Sequence, residues 1–180
     1  MRMKLGVLLC TFLLLGAIPL AFACHGKVTG GGQIVIPDGV ASFGVNAMAF
    51  SRLETGNVMG ELEYNDHTGP NVHAHIMTWL LVEQPNPQEE LPNQPNPLMW
   101  AQFRGPCTID GEAGYRFEVV VWDHGEPGVN DEFYIKVWRE GDGAVIDIYG
   151  ESPPTDDAKL TIDAGDVLLH GNIQIHKNPK

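Results

Sequence analysis

A short acidic stretch carries the densest set of potential metal ligands in the chain. It reads DHGEPGVNDE over residues 123–132 and contains Asp123, Glu126 and Asp131. Calcium takes about six to eight oxygen ligands from carboxylates, carbonyls and waters. These three residues are therefore candidate ligands for calcium, which is the candidate cofactor. The alternative is a solvated turn, in which glycine supplies positive φ and acidic side chains cap backbone groups.

Two histidines form a second candidate metal site. His73 and His75 lie two residues apart in a segment, Val72 to Val82, whose pattern predicts one continuous strand. Alternate residues of a strand share a face, so both imidazoles point the same way, beside Met77 and Trp79. The opposite, buried face is then expected to hold Val72, Ala74, Ile76, Leu80 and Val82. Such a pair binds zinc or copper if a third ligand comes from elsewhere, and otherwise it is simply exposed.

Aromatic residues offer a third kind of site. Trp122 and Trp138 fall on the polar register of two alternating strands, Tyr115–Trp122 and Phe133–Trp138. If these strands are neighbours, the two rings form an exposed platform on which sugars stack. The alternative is that both rings pack against a second sheet or inside a barrel. Nucleophilic catalysis has little support, because none of the three serines lies in a Gly-x-Ser-x-Gly elbow.

The first residues predict export from the cytoplasm. Arg2 and Lys4 precede an apolar run from Leu5 to Phe22, and residues 21–23 (Ala-Phe-Ala) form a small-x-small cleavage site. We therefore expect residues 1–23 to be a signal peptide and the mature protein to be secreted or held in the cell envelope. A retained membrane anchor is the alternative, and Pro19 near the end of the run argues against it.

Cys24 follows the cleavage site directly and has two incompatible fates. It is placed where a lipoprotein signal would lipidate a cysteine, although Ala21 and Phe22 depart from that signal. Alternatively, it forms a disulfide with Cys107, the other cysteine left after cleavage.

The negative charge of the chain limits the classes of partner that it is expected to bind. Loss of Arg2 and Lys4 with the signal leaves 9 basic against 23 acidic residues, a net charge of −14. Nucleic acid and anionic membranes select positive surfaces and are not expected partners. We expect contact with a membrane only through the signal peptide or a lipid on Cys24. The candidate partners are a polysaccharide or another surface protein.

Alternating hydrophobicity separated by turn signals predicts an all-β domain over residues 24–177. About eight to ten short strands form an antiparallel β-sandwich or a closed β-barrel. Residues 84–97 are rich in Pro, Asn and Gln and predict a loop insertion, and residues 178–180 predict a frayed tail. The similar segments GGQIVI (31–36) and GNIQIH (171–176) suggest that the two chain ends lie on neighbouring strands.

Five blocks, in order, resemble the post-COAP type β-domain of secreted and cell-surface bacterial proteins. They are VTGGGQI (28–34), ASFGVNA (41–47), GELEYNDH (60–67), GYRFEVVVWDHGEPGVNDEFYIKVW (114–138) and GNIQIHK (171–177). The resemblance implies a β fold and an extracytoplasmic location but no particular activity.

Together these observations favour a non-enzymatic binding or structural β-module of unknown ligand. The alternatives are a small metal-dependent secreted enzyme using the histidines and a carbohydrate-binding module.

Overall fold

The computed structural model describes residues 25–50, 57–84, 99–143, 146–147 and 150–177 of the 180-residue chain. Four predicted features lie wholly or mostly outside these residues: the signal peptide (1–23), Cys24, the loop insertion beyond Gln84, and the tail (178–180). In the parts of the chain that the structure describes, no helix has the length and apolar character needed to cross a membrane.

The described residues form twelve β-strands and one short 3₁₀ turn, Asp157–Lys159. The strands are β1 (Gly26–Ile36), β2 (Gly39–Ala49), β3 (Val58–Asp66), β4 (Asn71–Ala74), β5 (Trp79–Glu83), β6 (Met99–Ile109), β7 (Glu112–Asp123), β8 (Glu132–Arg139), β9 (Ile146–Asp147), β10 (Gly150–Glu151), β11 (Leu160–Val167) and β12 (His170–Lys177).

Ten of the strands form one antiparallel sheet. Their order is β11-β8-β7-β6-β4-β3-β2-β1-β12, with β5 paired to β6 outside this path, and β9 and β10 form a small separate hairpin. The sheet curls into a half-barrel, so the predicted all-β antiparallel fold is confirmed. Alternate residues of each strand point into the curl, as the two-residue period predicts.

The core fills the inside of the curl with apolar side chains from facing strands. Phe43 of β2 stacks on Phe133 of β8 with ring centroids 3.9 Å apart, and Tyr64 of β3 lies 6.4 Å from the same ring. These contacts join strands that are far apart in the sheet order. Burial of such aromatic surface is the main favourable term that holds the curl closed.

The two ends of the domain lie side by side, as the similarity of their sequences suggested. β1 pairs antiparallel with β12, from Gly26 opposite Lys177 to Gln33 opposite His170. β11 and β12 follow each other in the chain, yet β11 pairs with β8 at one edge of the sheet and β12 with β1 at the other. This crossing places β12 next to the loop between β7 and β8.

The predicted single strand from Val72 to Val82 is wrong. Pairing stops at Ala74 and resumes at Trp79 with a different partner strand. Among the irregular residues, Ile76 is 60% exposed and Met77 is buried, against the prediction. Trp79 keeps its predicted outer register opposite Arg104, but it is buried there. The backbone crosses β6 closely here, because a Cβ at Gly105 would collide with the carbonyl oxygen of Ile76.

Candidate functional site

The three residues predicted to bind calcium lie together, and all three accept hydrogen bonds from β12. Asp131 is fully buried; its Oδ1 accepts the N–H of His124 at 2.9 Å, and its Oδ2 accepts the N–H of Ile173 at 2.7 Å. Asp123, at the end of β7, accepts the N–H of Ile175 at 2.9 Å. Two carboxylates therefore take N–H groups from the side of β12 that faces away from β1.

Glu126 completes this arrangement from the exposed rim. Its Oε1 accepts the side-chain amides of Gln174 at 2.6 Å and Asn172 at 3.2 Å. These hydrogen bonds lower the pKa of Glu126 below the ordinary value of a glutamate. We call Asp123, Glu126 and Asp131, with their partners on β12, the carboxylate seam.

Burial acts in the opposite direction on Asp131. Desolvation raises its pKa above the ordinary value of an aspartate, and the backbone N–H groups of Ile173 and His124 oppose this rise. The N–H donors therefore stabilise a carboxylate that would otherwise be costly to bury.

The geometry of the seam matches the backbone-capping alternative for the acidic stretch. Gly125 and Gly128 adopt positive φ, and Gly125 donates its N–H to Asp123 Oδ1 at 2.8 Å. Among the described residues, no group of three or more His, Cys, Asp or Glu side chains is arranged to hold a metal ion. Calcium binding by the seam stays a prediction.

The histidine pair lies on the outer face of the sheet, with both rings on the same side. His73 Nδ1 is 2.5 Å from Glu63 Oε2, His75 Nδ1 is 3.8 Å from Glu61 Oε1, and the two rings meet edge to face with centroids 4.5 Å apart. All four side chains are largely exposed. The pair thus has carboxylate neighbours, and a transition metal there stays a prediction.

The structure does not bring Trp122 and Trp138 together. Both lie on the outward register, as predicted, but Trp138 is fully buried beneath the segment that follows β8. Its Nε1–H donates to Glu151 Oε1 at 3.0 Å, and the same carboxylate accepts the N–H groups of Gly141 and Gly143. Glu151 therefore fixes this covering segment over the ring, and Trp138 has no exposed face to offer a ligand.

Trp122 has a different aromatic partner. Trp100 of β6 lies directly opposite it, with ring centroids 6.1 Å apart and ring planes 32° from parallel. Tyr134, one strand further along on β8, is 40% exposed on the same outer face. Trp100 and Trp122 are half-buried. We call Trp100, Trp122 and Tyr134 the aromatic strip.

A hydrogen-bonded network borders the aromatic strip. Tyr134 donates its hydroxyl to Glu132 Oε2 at 2.7 Å, and His124 Nε2 lies 3.1 Å from Glu132 Oε1. The bond to Glu132 is the main reason that the pKa of Tyr134 rises to about 12. Tyr134 also packs closely on Gly165, where a Cβ would collide with its ring. Tyr134 is therefore fixed by Glu132 on its own strand and by Gly165 on β11.

Cys107 is buried on the inner face of β6, and burial raises the pKa of its thiol to about 12. Cys24 lies outside the described residues, so its disulfide with Cys107 and its lipidation both stay predictions.

Comparison with known proteins assigns no class to this fold and its aromatic strip. No family model, no curated protein and no solved structure matches the chain. The resemblance to the post-COAP type β-domain therefore stays a prediction.

Proposed function

We propose that this protein is an exported, non-enzymatic binding module that holds a polysaccharide on its aromatic strip. The observation that carries the proposal is the cross-strand pair of Trp100 and Trp122, extended by Tyr134, on the outer face of the sheet. Tryptophan and tyrosine combine a large apolar face with a polar edge, which suits the alternating C–H faces and hydroxyl groups of a sugar.

The support of the strip is rigid, which suits a binding surface. Its three rings sit on neighbouring strands β6, β7 and β8, and a site built on strands is held more accurately than one on loops. Little conformational freedom is then lost when a ligand binds.

The charge of the chain supports an uncharged or cationic ligand. The net charge is −12, which disfavours nucleic acid and anionic membrane surfaces. The proposed location, secreted or in the cell envelope, rests on the leader at residues 1–23. Attachment to a membrane would come from that leader or from a lipid on Cys24.

Depletion from solution by insoluble polysaccharides tests the proposal. Mature protein is mixed with cellulose, chitin, chitosan, xylan and peptidoglycan, and the unbound fraction is measured. We expect binding to at least one polymer, and a loss of about tenfold or more when Trp122 or Trp100 is changed to Ala, because stacked aromatics dominate such interfaces.

Met59→Ala is the matched control. Met59 is 64% exposed on the outer face of β3, away from the strip, so its removal tests apolar surface in general. Retention of full binding by both tryptophan variants, or binding to none of the polymers, would overturn the proposal.

A further inference from the structure

We propose that the polysaccharide carries protonated amino groups; this inference rests on the proposed function and names its ligand class. The main evidence is that carboxylates lie on both sides of the aromatic strip. Glu132 lies opposite Trp122 in register, and Glu83 lies opposite Trp100. A cation placed between a ring face and these carboxylates is attracted by both.

Glu132 and Glu83 share the outer face with the strip, because residues directly opposite each other in an antiparallel sheet point to the same side. The side chain of Glu132 is 26% exposed, so its charge is screened less than that of a free surface group.

Three basic side chains near the strip each lie beside an acid, and one of them, His124, is 3.1 Å from Glu132 Oε1. Lys136, two residues along β8 from Tyr134, lies opposite Glu118 on one side and Asp163 on the other. Arg104 is paired with Glu118 at 2.5 Å and stacks on Trp79 at 4.9 Å. The field at the strip is therefore negative, which disfavours uronic-acid polymers.

Aromatic faces add a second preference for cations. The face of an indole ring carries partial negative charge, and tryptophan is the strongest of the aromatic residues in attracting a cation. An amino sugar presents an apolar ring face for stacking and an ammonium group for the carboxylates. A neutral sugar would use only the stacking contact.

Titration with soluble oligosaccharides of equal length tests the inference through Trp fluorescence. The probes are glucosamine, N-acetylglucosamine, glucose and guluronate hexamers. We expect the glucosamine hexamer to bind about tenfold more tightly than its acetylated form, with the difference falling at high salt. Glu83→Gln should weaken glucosamine binding about threefold to fivefold and leave acetylated binding unchanged, because Glu83 is exposed beside Trp100.

Glu61→Gln removes one exposed charge from a distant part of the outer face and serves as the charge control. Equal affinity for the glucosamine and N-acetylglucosamine hexamers overturns the amino-sugar inference and leaves the proposed function standing. No binding to any hexamer, or binding that is unchanged in Trp122→Ala, overturns both the amino-sugar inference and the proposed function. Hexalysine binding as tightly as the glucosamine hexamer would show that the strip selects charge alone, and would overturn the saccharide assignment.

Discussion

Removal of the Asp131 carboxylate should open the carboxylate seam. In Asp131→Ala the N–H groups of His124 and Ile173 lose their acceptors while the surrounding chain stays packed. Each buried donor left unpaired costs about 1–3 kcal/mol, so the two together set a range of about 2–6 kcal/mol. Desolvation raises the pKa of Asp131, so its charge opposes folding at neutral pH. We therefore expect the free energy of unfolding to fall by about 2–4 kcal/mol, in the lower half of that range.

Asp131→Asn separates the two hydrogen bonds. The amide keeps one oxygen acceptor but turns an NH₂ group toward the second N–H donor. We expect about half the loss of the alanine variant, since one of the two hydrogen bonds survives. The control is Asp156→Ala, because the Asp156 carboxylate accepts the N–H of Ala158 at the exposed start of the 3₁₀ turn. The free energy of unfolding of this control variant should fall by less than about 1 kcal/mol.

Urea unfolding at neutral pH measures these free energies, and amide hydrogen exchange locates the change. The N–H of Ile173 should lose its protection in Asp131→Ala. The N–H of Leu168, which donates to the main-chain oxygen of Asp131 at 2.8 Å, should keep it. An alanine variant within about 0.5 kcal/mol of wild type, or one whose Ile173 N–H remains protected, would refute the role of the seam.

Two further predictions concern titration and the thiol. Amide donors lower the pKa of Glu126 in the folded protein. The contribution of Glu126 to stability is therefore fully present above the ordinary glutamate pKa of about 4.3, and it is lost as the pH falls through the lowered pKa. The unfolding free-energy difference between wild type and Glu126→Gln should shrink from about pH 7 to pH 3, and a constant difference would contradict this. Cys107, whose pKa burial raises to about 12, should resist iodoacetamide in the native protein at about pH 8 and react in urea without reductant. Labelling only after reduction would instead support the disulfide with Cys24.

Periodicity predicted the faces of most strands because alternation is a local property. The inward residues Phe117 and Val119 and the outward position of Trp138 all follow from it. The burial of Trp138 does not, since it depends on Glu151, thirteen residues later, folding back over the ring. The face of the sheet on which a residue lies can be predicted from its neighbours in the sequence. Whether another segment covers that face depends on tertiary contacts.

The pairing of Trp100 with Trp122 shows a second limit. Asp110 and Gly111 form the two-residue turn of the β6–β7 hairpin, and both have positive φ. Counted from that turn alone, Trp100 would face Val121, whose side chain points inward. An irregularity between Cys107 and Ile109 shifts the register by one and places Trp122 opposite. Such a bulge adds one residue to one strand and brings the odd-numbered apolar residues of β6 and β7 to the same face, but the pattern does not say where along the hairpin the bulge lies.

The acidic stretch illustrates why residue types alone left two interpretations open. Carboxylates suit calcium and backbone N–H groups equally well, and the choice depends on which partner lies nearest. That partner is β12, about forty residues later in the chain, brought alongside by its pairing with β1. Its Ile173 and Ile175 N–H groups would be unpaired at the edge of the sheet without these acceptors. A calcium ion at the seam would have to share oxygens with these donors, whose positive ends repel it, so closure of the seam and tight calcium binding oppose each other.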